Sequence, residues 1–83
     1  MTTREAEIAK AILDVLHEED GRQLEEITLH VAVTKRCPCA LREFDAALVQ
    51  VDQHGWVTGV KGRILGRLKW NINDAGEAAR LEM

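Results

Sequence analysis

Trp56-Val57-Thr58-Gly59-Val60-Lys61-Gly62-Arg63-Ile64-Leu65-Gly66-Arg67-Leu68-Lys69-Trp70-Asn71-Ile72 reads as a basic β-hairpin. Strands are expected near Trp56–Val60 and Ile64–Ile72. They join through Lys61-Gly62-Arg63, where glycine supplies the positive φ of a tight turn. Alternation sorts the second strand: Ile64, Leu68, Trp70 and Ile72 share one face with Gly66, while Arg63, Arg67, Lys69 and Asn71 share the other with Leu65. No acid lies between Gly55 and Asn73. Trp56, beside Val57, and Trp70, between Leu68 and Ile72, suit core packing beneath the hairpin.

Upstream, helical spacing predicts a helix from about Ala40 to His54 that buries Leu41, Phe44, Leu48 and Val51, with Ala47 on its close-packed side. Solvent is expected to see Arg42, Asp45, Ala46, Val49, Gln50 and Gln53, and Gly55 marks the stop. Downstream, Asn73 is a good N-cap and Asp74 and Glu77 suit the positive end of a last helix. Ala75, Ala78, Ala79 and Leu81 give that helix a small apolar side.

Nearer the N-terminus, Ile8, Ile12, Val15 and Leu16 form one stripe, widened by Ala9 and Leu13, on a helix from Thr3 to Glu19. Thr2 and Glu5 have capping-box spacing, and Gly21 ends the helix. Arg22-Gln23-Leu24 is a short link or a single rung of strand. Ile27 to Val33 fits either period: alternation pairs Ile27, Leu29, Val31 and Val33, while Leu24, Ile27 and Val31 fit a helix. Glu25 and Glu26 at its start favour the helix. Pro38 keeps Cys37 out of helical dihedrals and suits the first turn of the third helix.

Eighty-three residues make a single domain, residues 1–83. The 46% apolar and 30% charged content is that of an ordinary globular chain, and no run approaches the ~18 apolar residues of a membrane span. The first residues lack the apolar core of a signal peptide, so a cytoplasmic location with reduced cysteines is expected. The formal charge of −3 is uneven: Glu5, Glu7, Asp14, Glu18, Glu19 and Asp20 dominate the first helix, while the hairpin is purely cationic. Screening confines a surface charge to about 8–10 Å, so a basic arm acts independently of a distant acidic helix.

The order helix, rung, helix, turn, helix, basic hairpin, helix resembles the winged helix-turn-helix domain of small bacterial transcriptional regulators. Phe44-Asp45-Ala46-Ala47-Leu48-Val49-Gln50-Val51-Asp52-Gln53-His54-Gly55-Trp56-Val57 looks like the end of a recognition helix running into the wing. Trp70-Asn71-Ile72-Asn73-Asp74-Ala75-Gly76 looks like the return strand and the step into the last helix. The resemblance implies an α+β fold: a three-helix core, a two-stranded β-hairpin wing and a C-terminal helix. It also implies a DNA-binding transcriptional regulator whose third helix enters the major groove while the wing touches the backbone. Carried over by position, Arg42, Gln50 and Gln53 become base or phosphate contacts. Lys61, Arg63, Arg67 and Lys69 become phosphate contacts, and Lys35 and Arg36 reach the backbone at the helix start. The expected partner is double-stranded DNA bound by a homodimer paired through its first and last helices. Glu43, Asp45 and Asp52 on the same helix repel phosphates. They support an alternative, a winged-helix module that docks a protein partner without binding DNA directly.

Other motifs point to no chemistry. Cys37-Pro38-Cys39 has tighter spacing than the two to four intervening residues of structural zinc pairs, with only His17, His30 and His54 to complete a site. No metal or cofactor is expected. His30, within an apolar run, reads as a packed, hydrogen-bonded residue. The chain has no serine or tyrosine and no phosphate-cradling glycine loop, and its histidines are scattered, so enzyme activity is not expected.

Overall fold

A computed structural model describes residues 1–61 and 68–83. Among the described residues, four helices surround one core: α1 (Thr3–Glu18), α2 (Glu26–Arg36), α3 (Leu41–Gln53) and α4 (Asp74–Glu82). Three strands, β1 (Leu24–Glu25), β2 (Val57–Lys61) and β3 (Leu68–Ile72), form an antiparallel sheet in the order β1-β3-β2. The ambiguous run after Glu25 is helical. A strand there would need edge pairing, whereas a helix turns Leu29 and Val33 together into the core. β2 and β3 pair antiparallel as expected of the hairpin, and the link before α2, a candidate rung, adds β1 on the other side so that β3 is the central strand. The expected turn at Gly62 and Arg63 lies outside the described residues.

α1 is the axis of the molecule. Thr2 caps it, its hydroxyl accepting the Glu5 N–H at 3.1 Å. Ile8, Ala9, Ala11, Ile12, Leu13, Val15 and Leu16 are all buried, since α2, α3, α4 and β3 pack around it. Its apolar stripe is therefore consumed within the chain. The chain leaves α1 through Asp20 at φ 54° and Gly21 at φ 82°.

α3 buries Phe44, Ala47, Leu48 and Val51, the stripe its spacing predicts. Leu41, expected inside, is 57% exposed instead. It opens the helix, where the approach from Pro38 carries the first turn beyond the core. Gly55, at φ 74°, turns the chain from α3 into the sheet.

Two glycines show how closely the sheet is seated. A Cβ on Gly59 would lie 2.8 Å from the Trp70 indole, which covers that position from the opposing strand. A Cβ on Gly76 would lie 2.1 Å from the Trp56 carbonyl oxygen and 2.7 Å from Ile72 Cγ1. The first turn of α4 thus packs directly on the start of β2. Asn73 completes the joint: its Oδ1 accepts the Gly76 N–H at 2.9 Å and its Nδ2 donates to the Gly55 carbonyl at 2.8 Å.

Trp70 is buried, as expected. Trp56 is only half-buried and stacks on His54 with centroids 4.5 Å apart. Of the apolar side expected for α4, only Ala79 packs partly against the core, and Leu81 is 79% exposed. Polar contacts hold this helix instead, with His17 Nδ1 2.7 Å from Glu77 Oε2 and Arg80 Nε 3.4 Å from Asp14 Oδ1. His30 packs against Phe44 at 4.9 Å, but its buried Nε2 has no hydrogen-bond partner among the described residues. Among the described residues, no helix is long and apolar enough to cross a membrane.

Candidate nucleic-acid interface

Helical geometry sorts the surface of α3 into three strips. Arg42, Ala46, Val49 and Gln53 recur at three- and four-residue spacing opposite the buried stripe, and all four are exposed. Glu43 and the half-buried Gln50 lie on the flank toward α1. Asp45 and Asp52 lie on the flank toward the sheet. There they line a groove of about 360 Å³ with Glu26, Leu48, Val49, Leu68 and Trp70. Glu26 Oε1 accepts the Trp70 indole N–H at 3.2 Å, which ties the start of α2 to β3.

The three acids of α3 are not equivalent. Glu43 Oε1 accepts the Ala40 N–H at 3.0 Å and so caps its own helix, while its Oε2 receives Arg4 Nε at 3.1 Å. The Arg4 guanidinium, followed by the Ala40 N–H, holds the Glu43 carboxyl below its ordinary pKa. The same contact with Glu43 raises Arg4. Arg4 also donates to the Pro38 carbonyl and lies 3.5 Å from Cys37 Sγ. One arginine from α1 thus fastens the turn that leads into α3, and the charge of Glu43 is already answered. Asp45 and Asp52 are exposed and have no cationic partner among the described residues.

The sheet separates cations that look alike in sequence. Residues directly opposite on antiparallel strands project to the same face. Lys61 pairs with Leu68, so it belongs to the face of Leu68 and Trp70 that looks toward α3. Lys69 pairs with Val60 on one side and Glu25 on the other, on the opposite face. β1 therefore brings an acid into a sheet whose hairpin sequence has none. Lys61 and Lys69 are both exposed, while Arg63 and Arg67 lie outside the described residues.

At the end of α2 Lys35 is exposed and has no ionic partner among the described residues, whereas Arg36 is engaged by Glu18 of α1. Arg42 shares a shallow cleft with Arg4, Glu5 and Glu43 at the N-terminal end of α3. Of the expected site residues, Arg42 and Gln53 lie at opposite ends of the exposed strip of α3, and Lys61 lies on the sheet face that looks toward that helix. Gln50 is turned toward α1, Lys69 faces the other way, and Arg36 is spent on an ion pair. The reading by position missed Arg4 and Glu25. Arg4 lies 39 residues from Glu43, and no local pattern signals a contact at that separation. Glu25 meets Lys69 only because β1 joins the sheet.

The four helices and small antiparallel sheet of the described residues, with α3 beside the strands, form an α+β arrangement consistent with a winged-helix-like fold. Among solved structures, the crystal structure of SSV1 F-93 matches with a TM-score of 0.69 and 18% sequence identity, over 89% of this chain and 79% of that one. At that identity the likeness is one of fold. No family model matches the chain, and no curated protein matches it either.

Proposed function

We propose that this chain binds double-stranded DNA and acts in transcriptional control, with α3 presented to the major groove and the sheet to the phosphate backbone. The distribution of free charge carries this reading. Arg4, Lys10, Arg36 and Arg80 are each committed to a carboxylate of the same chain. Arg42, Lys61, Lys69 and Lys35 have no acidic partner among the described residues, as is also true of Arg22 in the α1–β1 link. Of these five free cations among the described residues, Arg42 opens α3 and two lie on the sheet, Lys61 on the face toward α3 and Lys69 on the other. Phosphate contacts of this kind give affinity without sequence preference, and Arg42 and Gln53 on the exposed α3 strip are the groups for base readout. Few cations per chain favour a two-fold pair of copies reading paired half-sites.

Fluorescence anisotropy of a labelled duplex titrated across a range of salt tests the reading. Each phosphate neutralised steepens the slope by about 0.9 log units in affinity per log unit of salt. Binding that is absent at low salt, or flat across the range, removes it.

A second reading rests on the groove beside α3. Glu26, Asp45 and Asp52 surround the apolar surface of Leu48, Val49, Leu68 and Trp70, which suits a basic, apolar-anchored protein segment better than a phosphate chain. Stronger binding to a lysine-rich amphipathic peptide than to any duplex selects this module over the DNA-binding reading.

A further inference from the structure

The outer face of α2 carries exposed apolar surface next to the interface formed by α3 and the sheet, with Ile27 bordering Leu68 at its edge. α2 buries Leu29 and Val33, but Ile27 is 65% exposed and Val31 52% exposed, one turn apart on the side away from the core. They border a groove of about 500 Å³ whose other wall is the C-terminal end of α1, with Val15, Glu18 and Glu19. Two β-branched aliphatic side chains held side by side in water gain free energy from any apolar surface that covers them.

The charges of the groove say what kind of surface fits. Glu18 is already paired with Arg36 across it. Glu19 on the α1 wall and Lys35 on the α2 wall remain, and neither has an ionic partner among the described residues. A complementary occupant carries an apolar ridge flanked by one cation and one carboxylate in the reverse order. The groove itself is such a surface, and self-complementarity of this kind is what a two-fold contact between identical chains requires.

We propose that two copies of this chain associate through the α1–α2 groove about a two-fold axis. Ile27 and Val31 of each copy pack into the groove of the other, and each Lys35 meets Glu19 of the second copy. It differs from pairing through the first and last helices, for which the stripe of α1 is not available, being buried by its own chain. The inference does not depend on DNA binding.

Sedimentation equilibrium of the full chain over a wide concentration range is the test. The wild type approaches twice the monomer mass, and Val31→Asp weakens association roughly a hundred-fold, since a two-fold contact suffers the change twice. Val31 is open to water, so the variant folds, and a wild-type far-UV spectrum with a single cooperative melt verifies this, the midpoint falling only by what the lost association contributes. Lys35→Glu and Glu19→Lys each weaken association, and the two combined restore it. A wild type that stays monomeric throughout overturns the proposal, as does a Val31→Asp protein that associates like the wild type. An association abolished by Leu81→Asp but not by Val31→Asp places pairing on α4 and also overturns it.

Discussion

α3 and the β2–β3 sheet lie side by side, yet their solvent sides carry opposite charge. α3 is held by a continuous stripe from Phe44 to Val51, none of it more than 4% exposed, while its solvent side carries Asp45 and Asp52 against Arg42. The sheet is anchored through Val57, Trp70 and Ile72 in the same core, with the Trp70 indole over Gly59 and Gly76 of α4 against Trp56, while its exposed described charges are Lys61 and Lys69. Both elements are firmly anchored, but the acids of α3 disfavour phosphates and the lysines of the sheet attract them. In the proposed complex with DNA, affinity and readout are therefore separable: the sheet would supply attraction, and α3 would supply shape and the few groups that discriminate bases.

The largest expected effects test the anchoring of the two elements. Phe44→Ala empties the centre of the α3 stripe and should cost about 3–5 kcal/mol in urea unfolding. Gly76→Ala places a methyl group against the Trp56 carbonyl and Ile72, and overpacking against backbone should cost about 1–3 kcal/mol. Gly59→Ala should cost less, because its Cβ meets only the Trp70 ring, which can shift. An order with Gly59→Ala the most damaging would mean that the sheet, not α3 and its junction, bears the stability.

The charge half is tested by binding. Lys61 shares the face that looks toward α3, and Lys69 projects from the other face beside Glu25. A duplex lying along α3 should therefore lose more salt dependence on Lys61→Ala, up to about 0.9 log units per log salt, than on Lys69→Ala. Equal losses would show that the duplex contacts both faces of the sheet and that the two lysines do not differ in role. Asp45→Asn combined with Asp52→Asn removes the repulsion from the flank of α3 and should tighten binding several-fold, with the gain greatest at low salt. Unchanged affinity would place the duplex away from that flank.

Much of this contrast was legible in the sequence. The apolar spacing from Phe44 to Val51, Gly55 as a stop and Asn73 as a cap are local signals, and each reappears at its predicted position because short-range geometry alone determines it. Leu41 failed because periodicity says which side of a helix a residue occupies but not how far the core extends along it. β1 was only a candidate rung, since a two-residue strand exists through its pairing with Trp70 and Lys69 and carries almost no pattern of its own. The face of Lys61 needed the register. The commitments of Arg4 and Arg36 needed the packing of α1 against α2 and α3, which no spacing rule encodes. A positively charged residue in a sequence is a candidate contact, and only tertiary structure tells whether a carboxylate has already claimed it.

The smallest effect concerns the one acid of α3 that is not repulsive. Glu43 is held below its ordinary pKa of 4.5 by Arg4 and the Ala40 N–H. A carboxylate with a depressed pKa in the folded state contributes stability that is fully present above the unfolded value and is lost as pH falls through the folded one. Glu43→Gln should therefore melt slightly below the wild type at neutral pH, and the difference should shrink once the pH falls below 4.5. Arg4→Ala should show the same acid-dependent convergence, because it removes the other half of the contact. It should also loosen the Cys37–Pro38 turn, whose carbonyl it holds. A melting difference that stays constant through the acid range would mean that Glu43 acts by packing rather than charge. Asp45 and Asp52 would then no longer differ from it in kind, and the neutralisation that makes α3 approachable would be lost.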